Sequence, residues 1–399
     1  MSNKIEEWKE RGCAAVESRR AQLIALSTRI HDCPEVKFEE HHSAAWLAEY
    51  LESLGFTVER PAYGMATAFV ARMGSGRPRV AVLCEYDALP GIGHGCGHNI
   101  IAAAGVGAAA ALAELLPETG GTLVVLGTPA EEGGGGKILM AQRGAFEAVD
   151  AAMMVHPAGM DLAAMPVLAF SLVEVEYRGS AAHASAFAHR GINALDALVT
   201  AYNAVAQLRQ HIRATERIHG IITDGGQAPN VVPERAAGVF CIRAANEPQL
   251  ARLKQRVFAC FHAGAQATGA QVHLQTVGDD YSELWTNAPL AAAYAANLAR
   301  LGRTVVDIAN VPPSIAGSTD MGNVSKLVPA IHPMIAAAPR GVPLHSVDFA
   351  RYAGAEDGHR AVIDGAKALA MTALDVLANP GLVTAMQAAF AETAARNQS

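Results

Sequence analysis

No uninterrupted apolar run in these 399 residues reaches the about 20 helical residues that a bilayer demands. The longest uncharged one, Ile100 to Ala113, is also interrupted by Gly105 and Gly107. No membrane association is expected. Basic residues are in deficit, 31 Lys and Arg against 38 Asp and Glu, for a net charge of -7 and a pI near 6.1. Such a chain offers no positive field to a phosphate backbone, so nucleic acid is not an expected partner. The six cysteines include no Cys-x-x-Cys pair and no regular framework, which points to a reducing compartment. Met1 to Arg20 alternates acids and bases without an apolar stretch or a small-residue cleavage site, and a cytoplasmic location is the expectation. Internal repeats and low-complexity tails are missing as well.

What is present is hydrophobic residue content of 51% against 17% charged. At this length one core stops growing and two domains are the default. Three apolar runs of strand length each end in a loop rich in polar chemistry. Val80 to Cys84 leads to Glu85, Asp87, Cys96 and His98; Thr122 to Gly127 leads to Glu131 and Glu132; Ala151 to Val155 leads to His156. Helical segments, Ile100 to Leu116 and Lys137 to Phe146, lie between them. Strands alternating with helices imply βαβ units in an α/β fold, with a mixed, largely parallel sheet and flanking helices. Ligands of such sheets collect beyond the carboxyl ends of the strands, where all these residues lie.

From about Phe170 the pattern changes. Val173, Val175 and Tyr177 alternate with Glu174, Glu176 and Arg178, as a strand with one wet face does. A helix over Ala194 to Leu208, strands around Ile218 to Thr223 and Ala237 to Arg243, a helix carrying Leu250, Leu253, Val257, Phe258 and Phe261 on one face, and a strand over Val272 to Thr276 follow. The order βαββαβ predicts an inserted ferredoxin-like domain over 170–284, with a discontinuous catalytic domain of 1–169 and 285–399.

Cys96, His98, Glu132, His156 and His345 are a thiolate, three imidazoles and a carboxylate, the ligand types of a zinc-like ion and more than one tetrahedral metal requires. Two divalent metals per subunit, zinc or manganese, are the expectation, with Glu131 left as general base. Taken alone, Cys96 and His98 could be a structural cysteine beside a loop histidine; the joint arrangement argues for metal. Asp87 is placed to hold the tautomer of His98 or to be a solvent-facing turn residue. Two glycine-rich stretches are set aside. Gly133 to Lys137 has Ile138 where a phosphate loop needs Ser or Thr, and Gly105-Val106-Gly107 falls inside a helical run.

Together these residues resemble the dinuclear metallopeptidase and amidohydrolase family of aminoacylase, glutamate carboxypeptidase and the indole-acetyl-amino-acid hydrolases. The similarity runs from Ile30-His31-Asp32-Cys33-Pro34-Glu35 through Leu344-His345-Ser346. Glu85-Tyr86-Asp87-Ala88-Leu89-Pro90, Gly317 to Ser325 and Pro329-Ala330-Ile331-His332-Pro333 narrow it to the p-aminobenzoyl-glutamate hydrolase and β-alanyl-lysine dipeptidase group. The resemblance implies a zinc-exopeptidase-like fold in which the inserted domain is a lid and homodimerisation module, and in which Cys96 can bridge the metals. It implies that His183, in Gly179-Ser180-Ala181-Ala182-His183, stabilises an oxyanion, that Asn230 contacts substrate, and that Arg243 takes a substrate carboxylate. Glu85 stands where many relatives carry a metal-binding histidine or an aspartate, which leaves its contact with metal open.

The expected activity is hydrolysis of N-acyl, N-aryl or N-aminoacyl amino acids by hydroxide made at two metals, with Glu131 relaying the proton. A hydrolytic arylamine deaminase on the same scaffold and a non-catalytic metal- or ligand-binding protein are the alternatives.

Overall fold

A computed structural model describes residues 2–311 and 316–398. The chain divides into two compact units. One comprises Met1–Pro166, Leu284–Ala316 and Asp320–Ser399, and the other Val167–Glu283 with Gly317–Thr319.

In the larger unit, helices α1 (Ser2–Ser18), α2 (Arg20–His31) and α3 (His41–Ser53) precede strands β1 (Thr57–Glu59), β2 (Phe69–Ser75) and β3 (Arg79–Glu85). Then come α4 (His98–Thr119), β4 (Gly121–Thr128), α5 (Gly136–Gln142), β5 (Ala151–Met153), β6 (His156–Ala158) and β7 (Asp161–Leu162). The smaller unit is β8 (Ala169–Arg178), α6 (Ala194–Leu208), β9 (Arg217–Asp224), β10 (Arg235–Ala244), α7 (Glu247–Thr268) and β11 (Gln271–Thr276). The chain then returns to the larger unit with α8 (Ala288–Arg300), β12 (Val305–Val306), α9 (Met321–Ser325), β13 (Ala330–Ile331), β14 (Met334–Ala336), α10 (Val347–Ala353), α11 (Glu356–Ala378) and α12 (Pro380–Gln398).

The central sheet has the order β1-β2-β4-β3-β5-β13. Its β4, β3, β5 and β13 are mutually parallel, while β2 runs antiparallel to β4 and is flanked by the short antiparallel edge strand β1. A second sheet, β12-β7-β14-β6, lies in the same unit. Every residue of β4 is buried, as expected of a strand covered on both faces. Helix α4 is apolar around most of its circumference, and by length and composition it could cross a bilayer, yet 83% of its most apolar window is buried in protein. It is a core helix packed against β3 and α11. Gly105 makes that contact possible: a side-chain carbon there would lie 2.5 Å from Cys84 Sγ. The expected helix over Lys137 to Phe146 is shorter, because α5 stops at Gln142 and Gly144 turns the chain with φ of +84°.

The smaller unit is a four-stranded antiparallel sheet ordered β11-β8-β10-β9 and covered by α6 and α7. Alternation along β8 buries Val173, Val175 and Tyr177, and α7 turns Leu250, Leu253, Val257 and Phe261 onto the sheet. Phe258 is only partly buried. Both helices start on asparagine: Asn193 accepts from the Leu195 and Asp196 amides, and Asn246 from that of Gln249.

Candidate metal centre

Three parallel strands end side by side, and the loops beyond them supply the chemistry. Strand β3 ends on Glu85, and beyond it the chain carries Asp87 and Cys96 before α4 opens on His98. Gly97 is its N-cap with φ of +75°, and a side chain there would meet Pro157 Cγ at 2.6 Å. Beyond β4 come Glu131 and Glu132, and beyond β5 comes His156. His345 arrives from the loop before α10, its own φ at +60° and its amide donating to Gly95 O at 2.9 Å.

The five expected ligands meet. Candidate ligand atoms of Cys96, His98 and His156 lie within 4.8 Å of one another, as do those of Cys96, Glu132 and His345 and those of His98, Glu131 and Glu132. Cys96 thus belongs to two triads. Cys96 Sγ is 3.4 Å from His156 Nε2, and His345 Nε2 is 3.2 Å from Glu132 Oε1. Asp87 is fully enclosed rather than solvent-facing. Its Oδ1 accepts from His98 Nδ1 at 3.0 Å and its Oδ2 from the Glu132 amide at 2.9 Å. His156 Nδ1 lies 2.8 Å from Pro157 O, to which it donates. Both imidazoles therefore turn Nε2 inward with a lone pair available to a cation.

His98 Nε2 is buried without a hydrogen-bond partner among the described residues, the condition a bound cation relieves. Burial opposes charge on His98, but Asp87 outweighs it and raises the pKa well above the ordinary histidine value. A pocket that favours a proton there favours a metal ion for the same electrostatic reason. Burial pushes the Cys96 thiol up, which a divalent ion would reverse. Soft and hard donors around one thiolate fit a pair of divalent ions.

Glu131 is 8% exposed, and its pKa is raised well above the carboxylate range, first by burial and then by Glu85, Glu132 and Asp320. Glu85 spans the centre and its support: its Oε2 is 3.6 Å from His98 Nε2, it groups with Glu131 and Asp320 as a further set of candidate ligand atoms, and its Oε1 is 2.5 Å from Lys137 Nζ, which also donates to Asp320 Oδ1 at 2.6 Å. The side chains of Glu85, Lys137 and Asp320 are fully buried. Sequence reading singled out neither Lys137 nor Asp320, since nothing local marks a pair 183 residues apart. It passed over Glu40 too. That carboxylate is fully buried and accepts from the Ala130 amide at 2.8 Å, where Ala130 has φ of +59° immediately before Glu131. Asn99 braces the interior instead, donating to Ser27 Oγ and Ala353 O.

Burial, with Asp87 adding to it, pushes the Glu40 pKa up to about 7. A folded-state value above the unfolded one means the folded chain binds the extra proton. That contribution is complete below about pH 4.5 and is lost as pH rises through 7. Glu40→Gln keeps the acceptor for Ala130 and removes the titration. Its stability relative to the unsubstituted protein should therefore improve between pH 5 and pH 8, by on the order of 3 kcal/mol in urea unfolding.

In the smaller unit, His183 is exposed with Nδ1 3.1 Å from Ser185 Oγ. Its strand-like segment is tied to that of Asn230, since Ala184 N donates to Asn230 O and Val232 N to Ala182 O. Arg243 donates to Ser318 Oγ at 2.8 Å and lies over the Phe170 ring at 4.9 Å. Burial lowers its pKa, and no acidic partner faces it among the described residues.

The model of peptidase family M20/M25/M40 matches residues 81–348. The Xaa-Arg dipeptidase of Mus musculus is 39% identical, over 97% of this chain and 93% of that protein. A p-aminobenzoyl-glutamate hydrolase component of Escherichia coli (strain K12) is 31% identical, over 94% of this chain and 92% of that one. In fold, the chain resembles a dinuclear metal binding peptidase of the M20 family from Bacillus subtilis, with a TM-score of 0.65 at 18% identity over 90% of this chain and 99% of that one. By a match that takes in the loops of Cys96, Glu131, His156 and His345, and by relatives similar nearly end to end, this chain belongs to peptidase family M20/M25/M40 and is a hydrolase.

Proposed function

We propose that the chain hydrolyses the amide bond of N-acyl, N-aryl or N-aminoacyl amino acids with two divalent metals and Glu131 as general base. The observation that carries this reading is the meeting of two ligand triads on Cys96 with a buried carboxylate, Glu131, alongside. Cys96, His98, Glu132, His156 and His345 would hold the ions. When bound, these would polarise the amide carbonyl and acidify the attacking water. Glu131, made basic by burial and by its acidic neighbours, accepts the proton of that water and delivers it to the leaving nitrogen. Asp87 keeps the Nδ1 proton of His98 in place, so that Nε2 faces the centre.

Arg243, half-buried without a counter-charge among the described residues, suits a substrate carboxylate, and a guanidinium fork matches one in shape. The Xaa-Arg dipeptidase and p-aminobenzoyl-glutamate hydrolase relatives support an amino acid as the released amine. His183 is assigned to the oxyanion and Asn230 to substrate contact. The thiolate favours zinc, while Glu132 accommodates manganese. Strand β9 lies at the edge of its sheet with Ile221 65% and Ile222 42% exposed, which supports a homodimer formed through the smaller unit as lid. Six unpaired cysteines fit a cytoplasmic setting.

Separately zinc- and manganese-loaded protein should release free amino acid from a panel of N-acyl amino acids, p-aminobenzoyl-glutamate and dipeptides, followed by mass spectrometry. Ammonia released from arylamines would replace this reading by a deaminase. Ligand-induced thermal shifts without turnover would replace it by a binding protein.

A further inference from the structure

Four parallel strands stand side by side in the central sheet in the order β4-β3-β5-β13. At or just beyond their carboxyl ends come, in the same order, Glu131 and Glu132, then Glu85, then His156, and last His332. The first three positions are accounted for by the metal centre and by Lys137; His332 is not. It is 1% exposed, and its ring is 5.2 Å from that of His156, tilted by 34°. Neither ring nitrogen has a hydrogen-bond partner among the described residues, and His332 belongs to none of the ligand triads. His156 cannot serve it, because its Nδ1 faces Pro157 O and its Nε2 faces Cys96 Sγ.

An imidazole buried with both nitrogens unmet destabilises a fold, and leucine of similar volume would suit the same place better. A group that works against stability at the end of a row of reactive side chains points to a partner the folded chain does not itself provide. A neutral imidazole presents one N–H donor and one acceptor, and here neither is met among the described residues. We propose that His332 is a further catalytic residue of this centre, an imidazole that hydrogen-bonds the amide group of the substrate. The proposal rests on the amide-hydrolase reading above.

The test compares metal-loaded wild type, His332→Leu and His332→Gln for kcat and KM on the best amide of the panel, for melting temperature and for bound metal. The leucine variant should keep its metals and melt at or above the wild-type temperature, while kcat/KM falls by roughly 100-fold. Glutamine, with a donor and an acceptor, should restore about tenfold of that loss. A leucine variant with wild-type kcat/KM overturns the proposal. So does one whose activity falls together with its melting temperature or metal content and is not restored by glutamine, since His332 would then be structural. Wild type that cleaves no amide defeats the underlying reading, and the proposal with it, a result distinct from either of these.

Discussion

Glu131→Gln is expected to lower kcat for amide hydrolysis by about 10²–10⁴-fold, with KM changed little and both metals retained. Glutamine keeps the size and hydrogen-bonding capacity of the side chain but cannot accept the proton of the attacking water. The proposed base role falls to Glu131 because Glu132, the carboxylate next to it, faces His345 and His98. Burial opposes the charge on Glu132, yet His345 and His98 outweigh it and hold its pKa below the ordinary value, as suits a ligand. Two adjacent glutamates are thus pushed in opposite directions, as the proposed division into proton acceptor and cation ligand requires. Steady-state kinetics alongside metal analysis checks the prediction. A Glu131→Gln enzyme with wild-type kcat would move the base to another residue.

Lys137→Met should destabilise the larger unit by roughly 3–5 kcal/mol, because it strands two buried carboxylates without their cation. Lys137 Nζ lies 2.5 Å from Glu85 and 2.6 Å from Asp320, and its own amide donates to Asp320 Oδ2 at 2.9 Å. The deficit should also depend on pH. Burial raises the Asp320 pKa to about 6, against the pull of Lys137, and losing the ammonium raises it further. A carboxyl with a raised folded-state value contributes stability below its unfolded value, near 3.8, and loses it as pH rises through the folded one. The variant should therefore fall furthest behind wild type near pH 8 and recover part of the difference near pH 5. Adding Glu85→Gln and Asp320→Asn, which removes the stranded charges, should restore most of the stability in urea unfolding. Equal deficits at pH 5 and pH 8 would show that packing, not charge, explains the loss.

What could be read from the sequence was local. Apolar runs ending in polar loops located β3, β4 and β5, even though β5 is only three residues long. Alternation located β8, and one-sided leucine, valine and phenylalanine spacing located α7. The antiparallel β2 escaped because its second half, Arg72 to Ser75, is mostly exposed and polar and resembles a loop. The ligand types were legible because a thiolate, imidazoles and a carboxylate have few other reasons to cluster, and the fold brings them within reach of one another. The residues that hold the centre in shape were not. Lys137 lies where a glycine run meets a helical segment, Glu40 stands in no motif, and His332 sits within Pro329-Ala330-Ile331-His332-Pro333, a motif of the family resemblance. Each owes its role to burial or to a partner about ninety or more positions away, neither of which a local pattern encodes. Glu85 has a distant partner in Lys137 at one oxygen, while its other oxygen lies 3.6 Å from His98 Nε2.

The central claim is that Cys96 joins two cation sites. Titrating metal-free protein with zinc by calorimetry, with bound metal counted independently after gel filtration, tests it most directly. The account predicts two zinc ions per protein chain in the wild type and loss of at least one, with its heat of binding, in Cys96→Ala. A wild type that saturates at one ion, or a Cys96→Ala variant that still binds two with unchanged affinity, would contradict it.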